Sequence, residues 1–340
     1  MNPAVKTVLL AVAAVLAVAA TASAQAGEYT RCGPGPGATA VAVSGATCDE
    51  ALAVAAALAA APVDATETVL RTAGWAPLRA RATDDEAAYD LTATRGLATL
   101  LIRRSGPAPD LDGWTAGREL ILSRGRLVGG APVPKGTVLC TSAFLIRVSG
   151  HAGGLSAAHC GGRRSDGTTQ RRNAGLRRPP QPGIILGRVR RNLARTQPLD
   201  ALVLPVPSGP GRPSAAVINR GAFSPPWFVA GSARPLTGRR VCFTGRTSGV
   251  DQCGRITGDF HGMFPRTRGR FPHPRLRCTT ITAREGDSGG PVYTVPRRDG
   301  TVRAVGITTL VYGLLQTMCF TPLEPVLDAL HATLVTAGAS

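Results

Sequence analysis

From Leu127 onward the chain alternates between short apolar runs and clusters of Gly, Pro and Arg. The runs fall at 138–147, 184–189, 201–206, 240–244 and 301–311. Runs of this length closed off by turn formers predict strands, and several in succession predict an all-β sandwich or barrel. A Pro/Gly-rich stretch, 205–226, divides this region into two similar parts, about 127–215 and 216–340. The end of the chain reads differently. Leu323, Val326, Leu327, Leu330 and Leu334 fall at helical spacing. Just before them Thr321 is placed to cap a helix, Pro322 suits its first turn and Glu324 completes a capping box. Ahead of Leu127 the pattern is weaker. Glu50 to Ala61 is Ala-rich and predicts a helix, and Leu91 to Ile102 alternates as a strand does. A smaller mixed α/β region over 25–126 is therefore expected before an all-β region over 127–340.

The first 24 residues change the picture. Lys6 precedes an uninterrupted apolar run, Val8 to Ala20, and Ala22-Ser23-Ala24 supplies small residues for cleavage. This predicts a signal peptide over 1–24 and a secreted protein, the run being too short for a comfortable transmembrane helix. Eight cysteines agree with export to a compartment that permits disulfides. The formal charge of +18 is uneven: 1–126 carries −1 and 127–340 carries +19. Nearly all the cations are Arg, which suits an anionic surface partner. A solvated cationic surface is the simpler reading, and no aromatic-interleaved basic motif points to specific nucleic-acid binding. No cluster has metal-ligand spacing, so neither metal nor cofactor is expected.

Three residues carry candidate chemistry. Ser288 lies in Gly286-Asp287-Ser288-Gly289-Gly290-Pro291. A serine hydroxyl attacks only when a base takes its proton, and it needs backbone donors aimed at the developing oxyanion. Glycine at 286 lets the backbone turn tightly, making the N–H groups of Gly286 and Ser288 the natural oxyanion hole. His159, in Leu155-Ser156-Ala157-Ala158-His159-Cys160, follows small residues that let a ring emerge from a crowded core. His151, His261, His273 and His331 lack such a context. The third member must be a carboxylate that orients the imidazole and stabilises its charged form. Asp200, just before the apolar run Ala201 to Leu204, fits better than Asp166, which lies in a Gly/Arg-rich loop.

With these motifs, residues 127–340 resemble the chymotrypsin-like serine peptidases, closest to the bacterial alpha-lytic protease and streptogrisin group. Val241-Cys242-Phe243-Thr244-Gly245-Arg246-Thr247-Ser248-Gly249-Val250-Asp251-Gln252-Cys253-Gly254 is similar to a disulfide hairpin of that group, and Leu127-Val128-Gly129-Gly130 to the mature N-terminus of the wider family. The resemblance implies a double six-stranded β-barrel with a C-terminal helix and the triad between the barrels. It implies Cys140–Cys160, Cys242–Cys253 and Cys278–Cys319, leaving Cys32–Cys48 to the N-terminal region, out of the 105 pairings that eight cysteines allow. Cys278 lies further from Ser288 than its counterpart does in the bacterial group.

Two activation routes stay open. Asp287 pairs either with the α-amine of Leu127, freed by cleavage after Arg126, or with Arg246. Both make 25–126 a propeptide, a retained accessory domain being the alternative. The specificity pocket is expected around Thr282, Glu285, Thr309 and Val311. With no acid at its base and a valine at 311, it predicts small or medium apolar side chains before the cleaved bond. The reading is a secreted, monomeric serine endopeptidase, a hydrolase made as a zymogen and acting on protein or peptide substrates. Two rivals remain: a catalytically silent cationic binding protein on the same fold, and an esterase, whose nucleophile elbow the serine motif does not match.

Overall fold

The structure, a computed structural model, describes residues 29–82, 88–105, 114–123, 127, 137–161, 173–178, 181–195, 197, 199–206, 216–220, 224–260, 276–312 and 317–337. The expected signal peptide, Arg126, Asp166, His261 and His273 lie outside the described residues.

The N-terminal unit is one antiparallel sheet with two helices. Its elements are β1 (Tyr29–Gly35), β2 (Ala38–Ser44), α1 (Cys48–Ala59), α2 (Thr66–Thr72), β3 (Ala76–Ala82), β4 (Ala88–Arg95) and β5 (Ala98–Ser105), with sheet order β1-β2-β5-β4-β3. The Ala-rich run forms α1 as expected, capped by Thr47, whose hydroxyl accepts from the Glu50 N–H at 3.3 Å. Val54, Leu58, Val69 and Leu70 from the helices meet Val41, Val43, Leu91, Leu100 and Ile102 from the sheet in a core of their own. The run 91–102, read as one strand, is a hairpin: β4 and β5 pair from Ala88↔Ser105 to Arg95↔Ala98, turning at Gly96. Arg95, at that turn, pairs with the buried carboxylate of Glu50 on α1 and lies 4.7 Å above the Trp75 ring. Cys32 and Cys48 tie β1 to the start of α1.

The first β unit comprises β6 (Glu119–Ser123), β7 (Val138–Thr141), β8 (Leu145–Val148), β9 (His151–Ser156), β10 (Asn173–Arg178), β11 (Gln181–Arg188), β12 (Arg191–Asn192) and β13 (Leu202–Pro205). Two sheets, β11-β10-β6-β7 and β12-β13-β9-β8, enclose one core of Trp114, Leu120, Leu122, Leu145, Leu186, Leu202 and Leu204. The second unit comprises β14 (Val217–Ile218), β15 (Trp227–Ser232), β16 (Arg240–Gly245), β17 (Gly249–Asp259), β18 (Arg277–Thr282), β19 (Pro291–Thr294), β20 (Thr301–Tyr312) and β21 (Thr317–Pro322). Its strands run β20-β19-β16-β17-β18-β21, and β21 pairs back onto β20 to close a six-stranded barrel around Val241, Phe243, Val292, Val305 and Phe320. The architecture is thus all-β and double-barrelled, as expected. A third core lies between the barrels, where Phe144, Ile146 and Leu155 meet Tyr293, Val302 and Ile307. α3 (Leu323–Leu330) packs into it through Leu323, Val326 and Leu330, and β22 (Ala332–Leu334) returns to pair with β8.

Three expectations are corrected here. The capping box does not form: Thr321 belongs to β21 and its hydroxyl bonds Thr309, Pro322 takes the cap position without a side-chain bond, and Glu324 meets Arg234 at 3.5 Å. The helix also stops at His331, in a left-handed conformation, so Leu334 falls on β22. The barrel region, moreover, begins before Leu127. β6 is hydrogen-bonded between β7 and β10, Trp114 is fully buried, and Ala116 bridges Ile218 of the second unit. The step in charge at 126 misplaced the boundary, because a strand with one acid and three apolar residues carries no charge signal. A chain beginning at Leu127 is therefore expected not to fold, whereas one beginning at Asp112 retains every barrel strand. Trp114→Ala should cost about 3–5 kcal/mol, read from denaturant unfolding of the chain begun at Asp112.

Candidate active site

His159 sits in a short 3-10 turn, Ala158–Gly161, at the end of β9, and Asp200 just precedes β13, the strand paired with β9. The pairing brings the two together. Asp200 is buried and uses both oxygens on one residue: Oδ1 accepts from the His159 backbone N–H at 2.8 Å, and Oδ2 lies 2.7 Å from His159 Nδ1. Two-point attachment fixes the ring and places the Nδ1 proton toward the carboxylate, leaving Nε2 free to accept a proton. The Asn192 amide donates to the Ala158 carbonyl at 3.0 Å and holds the turn from below. Part of the ring is exposed, and its packed surroundings work to lower its pKa. The charge of Asp200 and its hydrogen bond outweigh that effect and hold the imidazole above its ordinary 6.5.

Ser288 arrives from the second barrel on the turn before β19. Its carbonyl accepts from the Thr141 N–H of β7 at 2.8 Å. Gly289, at φ +88°, lies so close to the first barrel that a Cβ there would come within 2.1 Å of Ser156 Oγ and 2.4 Å of the Thr141 carbonyl. Only glycine permits that approach, and it seats Ser288 beside the residues just ahead of His159. Cys140, bonded to Cys160, closes the same neighbourhood covalently. Among the described residues, the N–H groups of Gly286 and Ser288 have no protein acceptor, and the Ser288 hydroxyl and His159 ring share no hydrogen bond. Apo sites commonly show that last contact long, tightening only when substrate is bound.

In the uncleaved chain Asp287 meets neither of its two expected partners. Asp287 is fully buried, and four donors meet its carboxylate: the N–H groups of Thr247 (2.8 Å) and Ser248 (3.0 Å) on Oδ1, and the Ser248 hydroxyl and Arg284 N–H (2.8 Å) on Oδ2. These satisfy the carboxylate without a cation. Arg246 turns instead to Glu119 on β6, with Nε 2.9 Å from Oε2. Leu127 is buried and is not among the partners of Asp287.

The four disulfides are Cys32–Cys48, Cys140–Cys160, Cys242–Cys253 and Cys278–Cys319. The last joins β18 to β21 at a paired position. Of the expected pocket residues, Thr309 is buried with its hydroxyl between the Ile307 carbonyl (3.1 Å) and Thr321 Oγ1 (2.7 Å), and Val311 packs on the second-barrel core. Thr282 and Glu285 are exposed. Sequence reasoning missed Thr141, Thr247, Ser248 and Glu119. The Thr247-Ser248 pair stood inside the quoted hairpin, where two hydroxyl residues at a turn next to glycine were the available signal. Among the described residues, no group of three or more His, Cys, Asp or Glu side chains is placed to hold a metal, and no helix is long and apolar enough to cross a membrane.

No protein-family model and no curated protein matches the chain. Solved structures similar to it are bacterial chymotrypsin-like serine proteases. Thermobifida fusca Protease A shares 25% identity over 62% of this chain and 98% of its own, with a TM-score of 0.45. Nocardiopsis protease shares 22% over 62% and 99% (TM-score 0.44), and alpha-lytic protease homolog N4 shares 21% over 64% and 97% (TM-score 0.47).

The histidine geometry makes a measurable statement. Titration of the His159 imidazole by NMR should give a pKa above 6.5 in the intact protein. In Asp200→Asn only the lowering effect of the surroundings remains, so the pKa should fall below the intact value. By linkage, the stability that the charged pair contributes is full below 6.5 and fades as pH rises through the folded-state pKa.

Proposed function

We propose that this chain is a secreted serine endopeptidase, with Ser288 as nucleophile, His159 as general base and then acid, and Asp200 orienting the ring. The observation that carries the reading is the double attachment of His159 to buried Asp200, beside a serine turn with two backbone N–H groups unclaimed. In the reaction Ser288 Oγ attacks a peptide carbonyl as its proton passes to His159 Nε2. The carbonyl oxygen, now negative, is received by the N–H groups of Gly286 and Ser288. His159 gives the proton to the departing amine, and water, deprotonated by the same nitrogen, releases the acyl group.

The substrate is a protein or peptide. Its preferred side chain before the cleaved bond is small or medium and apolar, a reading supported by Thr309, whose hydroxyl is committed internally, and by a valine rather than a glycine at 311. Four disulfides suit an oxidising compartment. The N-terminal unit has its own core and ends, as described, at Ser105, ahead of the first buried barrel residue, Trp114. These two features support removal of the N-terminal unit as a propeptide by a cut between 105 and 114, upstream of Leu127.

A fluorophosphonate probe on the secreted protein should label Ser288, and Ser288→Ala should abolish labelling. Its failure to react with folded protein would leave a cationic binding protein as the better account. Asp200→Asn should lower kcat by about 10⁴-fold. The acid limb of kcat/KM should lie above pH 6.5, because His159 must be neutral to act as base and its pKa is raised.

A further inference from the structure

Three consecutive peptide planes make up the serine turn, and each is held by its carbonyl. The Asp287 carbonyl accepts from the Gly290 N–H at 2.9 Å, within the turn itself. The Gly286 carbonyl accepts from the buried Thr141 hydroxyl at 3.0 Å. The Glu285 carbonyl accepts from the hydroxyl of Thr247, at 2.8 Å, on the exposed turn between β16 and β17. In a trans peptide the C=O and N–H point in opposite directions. Whatever holds the Glu285 carbonyl therefore aims the Gly286 N–H.

This third plane has the weakest anchorage. It is flanked by Gly286, at φ +98°, whose lack of a side chain lets the 285–286 peptide rotate at little steric cost. Rotated, it would present a carbonyl oxygen where the oxyanion must bind. Thr247 Oγ1 sits within 2.7 Å of where a Cβ of Gly286 would be, and Arg246 Nη1 within 2.8 Å, so both side chains lie flat against the turn. Arg246 is fixed in turn by Glu119.

We infer that Thr247 is a positioning residue of the proposed peptidase, its hydroxyl holding the Glu285 carbonyl so that the Gly286 N–H faces the oxyanion. The inference rests on the proposed function, because an oxyanion donor matters only if Ser288 acylates. The residue suits a clean test. Its side chain is exposed, so trimming it opens no cavity, and its backbone N–H, which Asp287 needs, survives substitution by Val, Ala or Ser.

The test uses the mature secreted protein with a p-nitroanilide peptide carrying Ala or Val before the scissile bond. Thr247→Val should lower kcat about 5- to 30-fold, below the roughly 10²–10³-fold that loss of a whole oxyanion donor costs, with KM within about twofold. A peptide aldehyde, which forms the tetrahedral adduct, should bind weaker by a similar factor, while the product peptide binds unchanged. Thr247→Ser should restore wild-type values, and Thr247→Ala gives the same reading as Val should the latter not fold. A Val or Ala variant with kcat within twofold of wild type overturns the inference, as does a Ser variant as impaired as Val. Wild-type protein that neither labels with fluorophosphonate nor cleaves the peptide overturns the proposed function itself, a result distinguishable from the first two.

Discussion

A carboxylate withdrawn wholly from water must be met by hydrogen-bond donors, or its burial is strongly unfavourable. Asp287 imposes that demand next to the serine, and the second barrel is arranged around meeting it. Its four donors come from two separate places, the turn after β16 and the approach to the serine, so both must be in register before the carboxylate is satisfied. The hairpin that supplies two of the residues is held from its far side as well. Asp251 on β17 accepts from the Trp227 indole and the Tyr293 hydroxyl, each at 2.7 Å, and pairs with Arg220 at 2.9 Å, whose guanidinium stacks 3.8 Å over Trp227. Burial, followed by the nearby negative charge of Asp251, pushes the Tyr293 phenol well above its ordinary range, so it stays a donor at every relevant pH.

The two barrels contribute different parts, and Thr141 is where they are reconciled. It lies on β7, directly after Cys140, and its backbone and side chain together reach Ser288, Gly286, Arg246 and Ser156. The Cys140–Cys160 bond ties that strand to the turn carrying His159. A displacement of one half of the site is thus passed to the other through Thr141, as well as through the close approach of Gly289 to Ser156. The segment from Trp114 to Glu119 adds a second seam. The Trp114 indole donates to the Ala143 carbonyl at 3.1 Å, Ala116 exchanges backbone bonds with Val217 and Asn219, and Glu119 reaches Arg246.

What the sequence made legible was local. The strands over 138–147, 201–206, 240–244 and 301–311 stand out because turn formers bracket them, and the serine motif because every residue of the turn has a steric or electronic duty. What it hid depended on distance in the chain. Nothing near Arg246 reveals that its partner is Glu119 rather than Asp287, because backbone N–H groups are invisible to a reading of side chains. The run at 91–102 read as one strand because its apolar pattern continues through Gly96, and only the pairing of its two halves discloses the hairpin. Thr321 looked like a helix cap because its neighbours fit one. Its hydroxyl was already engaged by Thr309, twelve residues back on the paired strand.

The Cys242–Cys253 bond spans a paired position of the hairpin whose turn cradles Asp287. Its position gives the redox state of the surroundings a hold on the chemistry. In reducing surroundings the hairpin lacks its covalent clasp, and the turn that offers Thr247 and Ser248 to Asp287 depends on strand pairing and the Asp251 contacts. If the chain is the exported peptidase we propose, that clasp closes only after export, and the cradle of Asp287 is covalently held only there.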